Sequence, residues 1–223
     1  MKKIILSTIL VLTATFGAKA QLTEGHISYK IEMTADNPEM AMAVGMMQGS
    51  TLDTYVSGDK TRTEMKMGTM MTTSTVTDMK TNKGLMLMSG MMGNQAMPMD
   101  LEELNKDAEA NMPKFEITKT DETKEILGYT CTRIILTMEE GLELNYYVTD
   151  KISVNTSGQK MYFEGIEGFP LQFELNNQGL KMVMTTTAIE TALSKEQKST
   201  LFDLSIPKGY KEMTMDDLKK MGM

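Results

Sequence analysis

The chain is 223 residues long, with a formal net charge of −7 and methionine at 26 positions, against one cysteine, one histidine and no tryptophan. An acidic chain repels phosphate, which excludes nucleic acid and a polyanionic lipid surface as general partners. A lone cysteine closes no internal disulfide, so the fold has to stand on packing.

Lys2 and Lys3 precede an apolar run from Ile4 to Phe16, and Ala18-Lys19-Ala20 supplies a small-x-small site before Gln21. This is the pattern of a cleaved export signal, residues 1–20, followed by a single exported domain over residues 21–223. Position 21 is Gln rather than the Cys that a lipid anchor needs, and no later apolar stretch is long enough to cross a bilayer. The expected product is periplasmic, or secreted, and does not span the membrane. Lys2, Lys3 and Lys19 leave with the leader and no acid does, so −7 becomes −10.

In the first half, Ile27, Tyr29, Ile31 and Met33 alternate with Ser28, Lys30 and Glu32, which predicts a half-buried strand over His26 to Met33. A short helix is expected between Pro38 and Gln48, with Pro38 suited to its first turn and Gly49 to its exit. Leu52 to Val56 and Thr61 to Met67 form a hairpin about the turn residues Ser57-Gly58-Asp59-Lys60. Further strands follow at Thr72 to Asp78 and Gly84 to Met88, with Thr81-Asn82-Lys83-Gly84 as the turn. The period then changes: Asp100 caps a helix over Leu101 to Ala110, which has acids in its first turn and Pro113 beyond its end.

The second half reads as β. Strands are predicted at Phe115 to Thr120, Thr130 to Met138 and Leu142 to Thr149, the last two joined through Glu139-Glu140-Gly141. Leu171, Phe173 and Leu175 mark another strand, Asn176-Asn177-Gln178-Gly179 a turn, and Leu180 to Thr191 a long final strand. Ser194, with Gln197 three residues on, starts a capped helix. The fold class is therefore α+β, a curved and mainly antiparallel β-sheet with a few helices covering it.

The run Ile126-Leu127-Gly128-Tyr129-Thr130-Cys131-Thr132-Arg133, then Tyr146-Tyr147-Val148-Thr149, then Glu164-Gly165-Ile166-Glu167-Gly168-Phe169-Pro170-Leu171 resembles exported bacterial domains of the DUF 4412 family. The last of these segments is also similar to the namesake segment of the GLPGLI family. With the closing Phe202-Asp203-Leu204-Ser205-Ile206-Pro207-Lys208-Gly209-Tyr210, the resemblance spans about residues 24–213. It implies a periplasmic protein with a lipoprotein-carrier-like (LolA-like) half-barrel around an apolar cavity, and no catalytic residues. The methionine-rich stretches at Met40 to Met47 and Met86 to Met99 are not part of it.

Two readings of the methionines follow. Residues at i and i+2 of a strand share a face, so Met65 with Met67, Met86 with Met88 and Met182 with Met184 would form a soft apolar wall that repacks around varied ligands. Met40, Met42, Met46, Met47, Met91, Met92, Met97 and Met99 instead occupy segments with Gly, Ala, Asn and Pro, read as loose chain able to wrap thioethers around Cu(I) or Ag(I). The first reading gives a non-catalytic carrier of a lipid, lipoprotein or other apolar molecule with no cofactor, the second a Cu(I)-binding protein. A third is an interaction module for another envelope protein. An enzyme is disfavoured because His26 is the one imidazole, no nucleophile-elbow spacing surrounds a serine, and no glycine-rich phosphate loop follows a strand. Glu102-Glu103, Glu139-Glu140 and Asp216-Asp217 read as solvated surface acids. Cys131 reads as a small buried apolar residue.

Overall fold

The alternation around Ile27 and Ile31 runs further than its sequence core in the computed structural model, which describes residues 20–91, 93–110, 114–138, 142–154, 166–177, 179–214 and 217. In chain order the elements are β1 (Ala20–Leu22), β2 (Glu24–Ala35), α1 (Pro38–Met46), β3 (Thr51–Ser57), β4 (Lys60–Met67), β5 (Met71–Asp78), β6 (Lys83–Gly90), β7 (Gly93–Asp100) and α2 (Leu101–Ala110). There follow β8 (Phe115–Ile126), β9 (Tyr129–Met138), β10 (Glu143–Thr149), β11 (Ile152–Val154), β12 (Phe169–Asn177), β13 (Leu180–Glu190), α3 (Lys195–Thr200) and β14 (Lys211–Glu212). The expected leader lies outside the described residues except for Ala20, which opens β1. The expected hairpin loop Glu139-Glu140-Gly141, the acids at Asp216, and Met92 lie outside them as well.

Both halves of the chain enter one open, curved sheet in the order β14-β7-β6-β5-β4-β3-β2-β13-β12-β10-β9-β8. Pairing within it is antiparallel except for the two-residue β14, which runs parallel to β7. The short β1 and β11 pair in parallel apart from it. The predicted meander thus stands, and tight turns explain its register. Leu127 and Gly128, with φ of 51° and 79°, close the β8–β9 hairpin between Ile126 and Tyr129, the two-residue turn whose twist suits antiparallel strands. Caps stand at the expected Asp100 and Ser194 and also at Asn37. Asn37 accepts from the Met40 amide at 2.7 Å, Asp100 from the Glu102 amide at 3.0 Å, and Ser194 and Gln197 form a reciprocal capping box.

Partners across neighbouring strands lie on the same face. One face carries Ile27, Thr54, Thr63, Thr75, Met86 and Met97 in a single row across β2 to β7. It continues through Met184, Phe173, Tyr146 and Ile134 on the far side of β2. There Ile134, Leu136, Leu144, Tyr146, Val148 and Ile166 form a core. The opposite face is also buried at one end, where Val76, Leu85, Leu87 and Ala96 lie under Leu193, Phe202, Leu204, Ile206 and Tyr210 of the C-terminal run. A third cluster around Leu171 closes the sheet end beside β1 and β11.

One expectation fails. Met97 and Met99, read as loose chain, lie on β7, and Met97 is buried in a cluster with Met88 and Met213. Pro98 and Gly93 suggested a loop, but β14 pairs only with Gln95 and Ala96. Beyond them β7 is a sheet edge, where a residue without an amide hydrogen is tolerated. Met40, Met42 and Met46 are likewise ordered, on α1. The other edge, β8, runs past the expected Thr120 to Ile126 and is studded with Glu116, Lys119, Asp121, Glu122, Lys124 and Glu125, charges that discourage edge-to-edge pairing.

Candidate functional site

Three chain segments meet at the corner where α1 ends over the hairpin tips of the sheet. Gly68, in the β4–β5 turn, has φ of 52°, and a Cβ there would collide with the Met46 carbonyl at the end of α1. A Cβ on Gly90, at the end of β6, would meet the Met70 carbonyl at 2.5 Å. The fully buried Ser50 pins the corner: its hydroxyl accepts from the Gly68 amide at 3.0 Å and donates to the Met47 carbonyl. Only residues without side chains allow these backbones to approach so closely.

The result is a pocket of about 360 Å³ lined by Met47, Met67, Met70, Met71, Met88 and Met91, with Ser89, Gly90, Gly93 and Gln95 completing it. Met67 and Met71 are partners across the β4–β5 hairpin. Met88 comes from β6, Met70 and Met91 from turns, and Met47 from the C-cap of α1. Among the described residues no ionisable side chain lines it. Met86, Met97, Met99 and Met213 pack with Met88 on the adjoining sheet face, so sulfur continues from the pocket into the core.

The two sequence groups of methionines do not survive as groups. Met67 and Met88, expected in a cavity wall, and Met47 and Met91, expected in a metal loop, line the same pocket. Met65 and Met86 share its sheet face without lining it. Met182 and Met184 also share that face, but stand opposite Met33 and Ile31 across β2, away from the pocket. Further along β3–β5 from the pocket this face is not methionine: Thr54, Thr61, Thr63, Thr73, Thr75 and Thr77 all point to it and are half-buried. Met91 is 85% exposed, so the pocket mouth is open to solvent beside an apolar side chain. The sequence reading missed Met70 and Met71 as lining, and Ser50, Gly68 and Gly90 as its supports. A glycine after each methionine-bearing strand, Met67-Gly68 and Ser89-Gly90, was the available signal.

Elsewhere polar clusters link neighbouring strands. His26 Nε2 donates toward Asp53 at 2.8 Å with the Ser28 hydroxyl at 3.0 Å from the same nitrogen, and Ser28 donates to Asp53 at 2.7 Å. Glu190 Oε2 stands 3.7 Å from the other ring nitrogen, Nδ1, and Tyr55 stacks on the ring at 4.2 Å. On β8–β10, Tyr147 donates to Glu122 at 2.6 Å and Arg133 to Glu122 at 2.7 Å and to Asn145. The hydrogen bond to Glu122, with burial, pushes the Tyr147 phenol up to about 12, and both donors hold the Glu122 carboxyl below its ordinary range. A second hollow, of about 990 Å³, has a mixed polar lining that includes Lys119, Asp150, Lys151 and Glu167.

Cys131 is fully buried, and burial pushes its thiol up to about 11. Native protein at neutral pH should therefore leave a thiol reagent unconsumed, with reaction appearing only on unfolding. Rapid labelling of the native state would contradict the burial.

No family model and no curated protein matches the sequence. Among solved structures, PNGF-II is similar at a TM-score of 0.45 and 13% identity, over 88% of this chain and 32% of that one. The Mycobacterium tuberculosis lipoprotein LppX gives 0.38 and 9% over 78% and 89% of the two chains. LprF from Mycobacterium bovis gives 0.32 and 10% over 78% and 88%. The chain thus spans about a third of the length of the first of these. At such scores the likeness carries no functional weight. Among the described residues no helix is long and apolar enough to cross a membrane.

Proposed function

We propose that this is an exported, non-catalytic binding protein that takes the apolar part of an amphiphilic molecule into the methionine pocket, in the manner of a carrier. The observation that carries the reading is the pocket itself: about 360 Å³, open at its mouth and lined, among the described residues, by six thioether side chains and no charge. That volume falls within the range of small-molecule sites. Methionine side chains repack around different shapes at little cost, which suits acyl chains of varied length. The threonine rows of β3–β5 extend the same face with hydroxyls, so a ligand with an apolar end and a polar body finds matching chemistry along one surface.

Native mass spectrometry of protein taken from its own export compartment tests this. A bound amphiphile is expected, and the emptied protein should bind a fluorescent fatty-acid probe. Protein that carries nothing and takes up no probe would overturn the reading. Met71→Lys sets an ammonium into the lining; it should weaken probe binding by at least about tenfold, since an unpaired charge facing apolar groups is costly, whereas Met182→Lys, away from the pocket, should leave it nearly unchanged.

A further inference from the structure

We propose that the same pocket is a thioether site for a soft monovalent cation, Cu(I) or Ag(I). It uses the pocket of the ligand-binding reading but does not depend on that reading. The described cores around Ile134 and Val76 are built mainly from Leu, Ile, Val and aromatic residues, whereas the one beside the pocket is methionine throughout. Leucine would fill a pocket as well as methionine, and with better-defined rotamers. What methionine adds is sulfur. Met47, Met67, Met70, Met71, Met88 and Met91 bring six thioethers from both hairpin tips, β6 and the end of α1 to one enclosure.

Three further features favour a soft cation there. Among the described residues no group of three or more His, Cys, Asp or Glu could hold a metal ion, and the thioether is a donor that selects Cu(I) over harder divalent ions. The end of α1, whose C-cap is Met47, points its partial negative charge at this corner, and no basic residue stands in its last turn to neutralise it. Met91, 85% exposed on the β6–β7 turn, gives the ion a ligand at the entrance, the entry path that a buried site requires.

The test is Cu(I) titration of the full chain against a competing Cu(I) chelator, under reducing, anaerobic conditions. Tight binding at one or more ions per chain is expected. In the triple variant Met67→Leu, Met71→Leu and Met88→Leu, Cu(I) affinity should fall by more than about 100-fold, beyond the effect of losing an outer-shell partner. Binding of the fatty-acid probe should persist, because the lining stays apolar. Cu(I) binding that survives the triple change, or none in the native protein, overturns the metal site and leaves the carrier reading standing. Loss of probe binding with Cu(I) retained overturns both assignments as drawn. Should the triple variant not fold, Ag(I) added to protein labelled with ¹³C at its methionine methyls keeps the question decidable. The methyls of Met67, Met71 and Met88 should shift while those of Met33, Met182 and Met184 stay in place; uniform or absent shifts refute the site.

Discussion

Gly68→Ala is expected to lower stability by about 2–5 kcal/mol and to abolish binding of an apolar probe. The left-handed backbone at this position costs an L-residue about 1–2 kcal/mol. Its Cβ would also drive into the Met46 carbonyl, and overpacking of that kind costs about 1–3 kcal/mol. Relief can come only by lifting the end of α1 from the β4–β5 turn, which breaks the Ser50 bridge to Gly68 and Met47 and moves Met47 out of the pocket. Gly49→Ala supplies the control. Gly49 has a similar φ of 75° but nothing within 4 Å of a built Cβ, so it carries the backbone cost alone. Urea denaturation of both variants, with probe titration, checks the claim. Equal losses for the two would show that close approach at Gly68 does not hold the corner together.

Leu171→Ala is expected to cost about 2–5 kcal/mol, the range for emptying a fully enclosed leucine site. Leu171 has no exposed surface and packs in one cluster with Ile126, Cys131, Tyr147 and Ile152. These come from β8, β9, β10 and β11, so the cavity would loosen the end of the sheet at once rather than one hairpin. Little collapse is available to refill it, because Gly168 just upstream is held against the Thr149 carbonyl with φ of 114° and Pro170 faces Val148 where the β10–β12 register shifts. Leu127→Ala, at a turn residue 48% exposed, should cost far less. The comparison is a denaturation midpoint for each; a small loss at Leu171 would mean that this end of the sheet repacks freely.

Local signals carried through: glycines with positive φ, Ser194 ahead of Gln197 and the alternation at Ile27 and Ile31 each act within a few residues. Each appears where the sequence placed it. The cysteine was legible for the same reason, as a small residue within a strand pattern. The pocket was not legible. Met67 and Met71 are neighbours only because a hairpin folds them together, and Met47 reaches them only because α1 returns over its tip. Met97 was misplaced because a proline beside it signals a loop unless the strand is known to be an edge.

The sequence by itself determined most of the long strands but not β7, together with many turns and caps, the acidic charge and the abundance of thioethers, since these depend on periodicities of two or 3.6 residues and on composition. Tertiary structure alone decided which sulfurs meet. That choice rests on strand order and on two close backbone contacts, at Gly68 and Gly90, between residues separated in the chain by the whole length of a hairpin strand. No local propensity encodes such contacts, because their energy exists only once the sheet has assembled.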